Sequence, residues 1–451
     1  MNACNLPSRS AVLATLLSLI PPLHAQWTLP DVLQRASAHY AGTRIPIEQA
    51  ASAAAAVQLA RNAFLPKGDL YAQINRATRN NVFGMMLPNP VIPSISGPPQ
   101  TANAGTNVWG SATGFLIQWE PFDFGQRQAH VSTADAARQR AQLTSARTRF
   151  EVDAAAADAF LTVLAADQTV AAARAAVERA RSLATLAAAQ AQAGLRPEAD
   201  SSRAKAELAL AQGQLIQANQ AARLARIALA QFTGDNWQAV QPQAPFTTQT
   251  PIDPTTAAGP HPAMQEQQAA VHEAEARQHE AAIAWRPRFN TQSALYARGA
   301  GDADQIGPHF YNWGIGFSVL FPFLDLPSIR AQQQIQAHNT LAEQNRLAKL
   351  NTDLQTQTER AKANLDAARN IAETTPIQLE AATAAQAQAR ARYQAGLATF
   401  AEVSDAQRLL LQTEIDHSLA RLNIWRAYLS LATAQGDLQP FLQMAHQEPR
   451  P

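Results

Sequence analysis

The spacing of hydrophobic positions changes several times along the chain, and the changes come in the same order twice. From Leu29 to Asn62 apolar residues recur at helical intervals, with Asp31 as a candidate cap and Phe64-Leu65-Pro66 as the stop. Over 67–79 the period falls to two: Leu70, Ala72 and Ile74 alternate with polar neighbours, as in a half-exposed strand. Gly84 to Thr106 is rich in Pro, Gly, Asn and Ser and predicts a long loop. A second strand is predicted over 107–120, where Trp109, Ser111, Thr113, Phe115, Ile117 and Trp119 share one face and Gly110, Ala112, Gly114 and Leu116 the other. Helical spacing then runs over 123–193 with a heptad seam of Phe150, Ala154, Ala157, Leu161, Leu164 and Gln168. Seventy residues of helix extend ~105 Å at ~1.5 Å per residue, longer than a compact domain accommodates. Gly194 and Pro197 break this helix, and a shorter one follows over 200–232.

The series then repeats. His261-Pro262 leads a helix through Ile283, and Trp285-Arg286-Pro287 answers Phe64-Leu65-Pro66. Strands are predicted over 289–297 and 311–321, a long helix over 325–395 and a final helix over 400–434. The final helix carries the stripe Leu411, Ile415, Leu419, Leu422, Trp425 and Leu429. Pro376 is expected to kink the long helix or interrupt its hydrogen-bond ladder. Gln192-Ala193-Gly194-Leu195 recurs as Gln394-Ala395-Gly396-Leu397, an offset of 202 residues (396 − 194), and Gly234-Asp235 recurs as Gly436-Asp437 at the same offset. The chain therefore divides into 1–25, a first repeat 26–240, a Pro/Gln/Thr-rich linker 241–260, a second repeat 261–437 and a tail 438–451.

The strand faces point to a particular environment. On 311–321, Tyr311, Trp313, Ile315, Phe317, Val319 and Phe321 form an apolar face with aromatics at both ends, while Asn312, Gly314, Gly316 and Ser318 are small or polar. A soluble sandwich would give its polar face to water; a membrane barrel would give its apolar face to lipid and its polar face to a lumen. A strand of this length spans ~33 Å, enough to cross a bilayer core when tilted.

Composition adds an export signal to that choice. Arg9, the apolar run Ala11–Ile20 and Leu23-His24-Ala25 read as a secretory signal over 1–25, and no other apolar run is expected to reach a spanning helix. The single cysteine, Cys4, lies inside that signal, so a mature chain is expected to carry neither a disulfide nor a lipid-attachment cysteine. A net charge of +1 gives no nucleic-acid footprint. Four strands cannot close a membrane barrel, which takes at least eight, so several chains would have to pool theirs.

Tyr393-x-x-Gly396 followed by Glu402-Val403-x-Asp405-Ala406-Gln407 resembles the signature turn of the TolC-like outer-membrane efflux proteins, and Trp119-Glu-Pro-Phe-Asp123-Phe-Gly125 resembles their strand-to-helix junction. The resemblance implies a mostly α fold with membrane β: a homotrimer whose twelve-stranded barrel takes four strands per chain and is continued by a periplasmic α-helical barrel. It implies an exit duct in the outer membrane, in contact with outer-membrane lipid, extending into the periplasm. That duct docks onto a periplasmic adaptor and an inner-membrane pump and passes substrates without chemistry or cofactor of its own. Trp109, Trp119, Tyr311, Trp313, Phe317 and Phe321 become the lipid-facing aromatics.

The same resemblance gives roles to the two hairpin turns at Gly194 and Gly396. Glu402 and Asp405 match acidic residues that ring a constriction, and Tyr393 and Asp200 match a tyrosine and its acidic partner that hold the hairpins together. Ala398 stands where an arginine of that lock is expected, and Arg196 stands at the corresponding place in the first turn, so the closed gate is expected to be weaker. A threefold ring of like charges should raise apparent carboxylate pKa values and attract cations. Glu402 and Asp405 equally suit a role as helix-capping acids.

Other chemistry is sparse. His272, Glu273, Glu275, His279 and Glu280 lie on one helix, but the two histidines are two turns apart, and a solvated face is the expected reading. Neither a G-x-S-x-G elbow nor a phosphate-cradling glycine loop is present, so no enzyme or metal site is predicted. The rival readings are a periplasmic coiled-coil adaptor, which would need one hairpin between split β domains, and a soluble helical scaffold.

Overall fold

The computed structural model describes residues 26–78, 105–238, 241–243, 259–301 and 307–446. In chain order the elements are β1 (Gln26–Trp27), α1 (Leu29–His39), α2 (Ala41–Asn62), β2 (Lys67–Thr78), β3 (Asn107–Phe122), α3 (Gln126–Gln192) and α4 (Glu198–Thr233). They continue as β4 (Gln241–Pro242), α5 (Pro262–Ile283), β5 (Arg288–Gly301), β6 (Phe310–Leu320), α6 (Leu326–Gln394), α7 (Phe400–Gln435) and α8 (Gln439–His446). The long 84–106 loop lies almost wholly outside the described residues, as do 1–25 and most of the linker. Contacts group the chain into two units, one of 45–147 with 262–352 and one of 1–44, 148–261 and 353–451.

The first of these units holds one antiparallel sheet in the order β2-β3-β5-β6. Register aligns Leu70, Phe115, Leu295 and Trp313 in one row across all four strands, and all four side chains are exposed. Tyr311, Trp313, Ile315, Phe317 and Val319 continue this bare apolar face along β6, with Trp313 78% and Phe317 75% exposed. The opposite face carries Lys67, Gln118, Gln292 and Gly316 in one row and Tyr71, Gly114, Tyr296 and Asn312 in another. Gly114 is required there, because a Cβ would lie 2.5 Å from the Cβ of Tyr296. Trp109 is half-buried beneath the Arg76 guanidinium, and Trp119 donates its indole N–H to the carbonyl of Phe64 at 3.0 Å.

The strand leads into α3 through a built junction rather than directly, so the helix opens at Gln126 and not at Asp123. Phe124 and Gly125 take φ of 52° and 95°. Asp123 accepts from the backbone N–H groups of Gly125 (3.0 Å) and Arg127 (2.7 Å) and from the Arg127 side chain at 2.8 Å. Burial opposes ionisation of Asp123, but these donors prevail and hold its carboxyl below its ordinary pKa. Against the start of α3, α5 sets acids at heptad spacing. Glu266 meets Arg147 and Thr144, Glu273 meets Arg140, and Glu280 meets His130 and Thr133. Glu273 is therefore buried and paired, a correction to the solvated face expected of that helix. Spacing by seven on both helices is the signal that the sequence carried.

The second unit is a helical core closed by the two chain ends. Trp27, Leu29 and Val32 of the first end pack with Phe160, Leu161, Trp425 and Tyr428, and Phe441 of α8 is fully buried among them. Leu438, Phe441, Leu442, Met444 and Ala445 of the tail are thus part of the core. At the start of the linker, Gln241–Pro242 forms β4, parallel to β1. Asp31 is not itself the cap of α1. Thr28 is the cap, and the Asp31 carboxylate accepts from its N–H at 3.1 Å. Tyr40 divides the expected 29–62 helix into α1 and α2. Of the 150–168 seam, Ala154, Ala157 and Leu161 are buried, but so are Val152, Ala156, Phe160 and Val163, because α3 packs on more than one side.

Pro376 interrupts the hydrogen-bond ladder of α6 as expected, without ending the helix. The missing N–H would have bonded the carbonyl of Ala372, and the Thr375 hydroxyl donates to that oxygen instead, at 3.3 Å. One stretch of α3 is long and apolar enough to cross a membrane by length and composition alone, and 44% of it is buried within the chain, as in a core helix. Alanine supplies much of that apolarity.

Candidate functional site

The two hairpin turns lie in this helical unit and have the same construction. In the first, Gly194 takes φ of 69° and the N–H of Leu195 bonds back to the carbonyl of Gln190 at 2.9 Å. In the second, Gly396 takes φ of 83° and the N–H of Leu397 bonds to the carbonyl of Arg392 at 2.8 Å. Both bonds run from residue i to i−5 around a left-handed glycine, the Schellman closure of a helix. An L side chain at either glycine would strain its turn.

Arg196 joins one turn to the other. Its guanidinium donates to the carbonyls of Tyr393 at 2.9 Å and Ala398 at 3.1 Å, and lies 4.7 Å from the centre of the Tyr393 ring. Tyr393 has 0% of its surface exposed, packs edge-on to Phe400 at 6.0 Å, and shares a cluster with Leu183, Ala187, Ala204, Ala398 and Val403. Its hydroxyl donates to Asp200 at 3.4 Å, a long and correspondingly weak bond. Burial and the Asp200 charge push the Tyr393 hydroxyl above its ordinary pKa, with Arg196 opposing them. The structure thus brings Tyr393, Asp200, Gly194 and Gly396 into one assembly. Arginine is present in it as well, reaching from the first turn to the carbonyl of the very residue, Ala398, at which the sequence lacks one.

Glu402 and Asp405 are both exposed on the first turns of α7. Glu402 is the reciprocal partner of the Thr399 cap: its carboxylate accepts from the Thr399 N–H at 3.1 Å, and its own N–H donates to the Thr399 hydroxyl at 3.3 Å. The backbone N–H of Thr399, then its hydroxyl, hold the Glu402 carboxyl below its ordinary pKa, so within the single chain it is ionised at neutral pH. Asp405 pairs with Arg408 at 3.2 Å, and Arg408 also reaches Glu207 of α4 at 3.3 Å. A second inter-hairpin pair, the bidentate Arg179–Glu414 contact between α3 and α7, has distances of 3.0 and 2.7 Å. Sequence reasoning missed both pairs. Distance from the turns carried the signal for the first: Glu207 is 13 residues past Gly194 (207 − 194) and Arg408 is 12 past Gly396 (408 − 396).

The duplicated architecture has relatives. Residues 48–235 and 254–437 match the family model described as outer membrane efflux protein. The chain belongs to the outer membrane efflux protein family. The fold is shared with solved outer-membrane channels. OprN aligns at 19% identity and a TM-score of 0.74, covering 90% of this chain and 89% of that one. The Campylobacter jejuni channel CmeC aligns at 15% and 0.75, covering 90% and 85%. The open state of the Neisseria gonorrhoeae channel MtrE aligns at 16% and 0.72, covering 91% and 89%. No curated protein matches the chain significantly by sequence. As a member of an efflux-channel family, the protein is an outer-membrane component and not an enzyme.

Proposed function

We propose that the protein is the exit duct of a tripartite export system, working as a homotrimer that takes substrates from an inner-membrane pump through a periplasmic adaptor. The bare apolar face of a four-stranded sheet carries this reading, because β2 and β6 each have one neighbour and the sheet is too small to close alone. Three copies supply twelve strands. Trp109, Trp119, Tyr311, Trp313, Phe317 and Phe321 then meet lipid, and the Lys67, Gln118, Gln292 and Asn312 face lines the lumen. The joined turns are the periplasmic mouth, with Arg196, Tyr393 and Asp200 as its latch.

Glu402 and Asp405 face the pore axis in this arrangement. Three copies place six carboxylates near one another, and multivalent cations should bind there and block conduction. Glu402→Ala with Asp405→Ala is expected to weaken that block at least tenfold in planar-bilayer recordings; unchanged block would remove these residues from the constriction. Block needs ionised carboxylates. It should therefore be full at neutral pH and fade as pH falls through the carboxylate pKa values. The Thr399 bonds delay that loss for Glu402 by lowering its value, whereas repulsion within a ring advances it.

A further inference from the structure

Helices α3 and α4 leave a groove between them where the chain passes on to β4. Two adjoining cavities of about 460 and 410 Å³ open there, and Asp167, Arg226 and Trp237 line both. The floor is apolar, with Val170 and Ala222 buried in it. The walls are basic. Arg174 of α3 and Arg223 and Arg226 of α4 face a single carboxylate among the described lining residues, that of Asp167. Arg226 takes that carboxylate at 2.6 Å. Arg174 and Arg223 are exposed and have no acidic partner among the described residues.

The groove holds its guanidiniums in place. Arg223 lies 4.7 Å from the centre of the half-buried Trp237 ring, and Arg226 is bonded across the helix pair. A guanidinium stacked on an aromatic ring keeps its in-plane N–H donors for a ligand, and less side-chain freedom is lost when one binds. Such donors select carboxylates, which they bind bidentately. Gln238, Gln241 and Gln243 line the other wall, and their amides select a ligand that carries amide groups as well.

The groove stands clear of the turns. Arg223 lies 25 residues from the start of α4 (223 − 198) and Asp167 lies 25 from the end of α3 (192 − 167), about 38 Å at ~1.5 Å per residue. In a ring of three copies it also faces outward. Twelve long helices ~10 Å apart make a ring about 38 Å across with a bore of about 28 Å. Helices α1 and α8 of three copies would fill that bore, so their layer belongs on the outer wall. The N–H of Gln243 donates to the carbonyl of Trp27, just before α1, at 2.9 Å, which places the start of the linker in the same layer.

We propose that this groove binds the peptidoglycan around the duct through the carboxylates of its stem peptides. Arg174 and Arg223 take carboxylates of one stem peptide, and the glutamines meet its amides. The inference rests on the exit-duct reading above, because a tube that crosses the periplasm passes through this polymer.

Purified peptidoglycan sacculi test it. Full-length trimer in mild detergent should sediment with sacculi, and Arg174→Glu with Arg223→Glu should lower the bound fraction at least tenfold. Arg203→Glu with Lys205→Glu makes the same charge change at exposed positions of α4 near the turn and should bind as wild type does. Equal loss in both pairs, or loss in neither, would overturn the proposal. Loss of the heat-resistant trimer in the Arg174/Arg223 pair would give the groove to a neighbouring copy instead. A competition needs no variant: soluble disaccharide-peptide should release wild-type trimer from sacculi, and the same compound with its carboxylates amidated should not. Release by both, or by neither, would overturn the carboxylate contact. A wild-type trimer that ignores sacculi removes the peptidoglycan contact and leaves the duct reading intact, whereas a monomer soluble without detergent removes the duct.

Discussion

Arg196→Ala is expected to leave the duct assembled but unlatched, with higher conductance and open probability in planar bilayers and greater cell sensitivity to large antibiotics normally excluded. The side chain makes two charge-assisted bonds to carbonyls and covers an aromatic ring. One such bond together with the ring contact contributes about 2–4 kcal/mol per chain, given ~1.5–3 kcal/mol for a bond to a charged group and ~0.5–1 kcal/mol for the ring contact, and the second bond adds to it. At the lower figure, each released chain shifts its closed–open equilibrium about thirtyfold. Arg196→Lys should restore little, because an ammonium cannot hold two carbonyls and stack flat on Tyr393. Tyr393→Phe should be milder, since it removes only the 3.4 Å bond to Asp200. A wild-type conductance in Arg196→Ala would mean that the turns are held by other contacts, with the Arg179–Glu414 pair the first to examine.

The second large effect is expected on the sheet. Ile315 lies midway along β6 on the bare face, and Ser318 lies on the opposite face beside Asn290. Ile315→Lys places a charge at mid-membrane depth, at a cost of roughly 2–4 kcal/mol per copy, and a symmetric ring incurs it three times. Little of this variant should reach the outer membrane as a heat-resistant trimer. Ser318→Lys, in a wet lumen, should assemble normally. Equal assembly of the two variants would contradict the assignment of the faces, and loss of Ser318→Lys alone would reverse it.

Much of the fold was legible because its cues are local and repeated. The period-two strands, the hairpin turns at Gly194 and Gly396, and the 202-residue offset between those turns each survive in the structure, the strands with boundaries close to those expected. What escaped was set by distant packing. Nothing near Phe441 announces that it closes the core beneath Trp425 and Tyr428, because the short α8 has no pattern long enough to read. Glu273 looked like one acid among several on a polar helix until Arg140, 133 residues earlier in the chain, was brought against it. The ladder break at Pro376 is legible from its backbone alone, but not that the hydroxyl of the preceding residue takes the freed carbonyl. At the turns, the lock resemblance led to the absent arginine at position 398. Arg196, which stands at the corresponding place in the first turn, reaches the carbonyl of that position from the other repeat, a contact that only the packing of the two turns makes visible.

The central claim is that this chain works as a ring of three in the outer membrane, and the mass of the native particle tests it most directly. Wild-type protein extracted from outer membranes in mild detergent should give, by native mass spectrometry, a complex of three identical chains. A single chain recovered from the soluble periplasm without detergent would contradict the account.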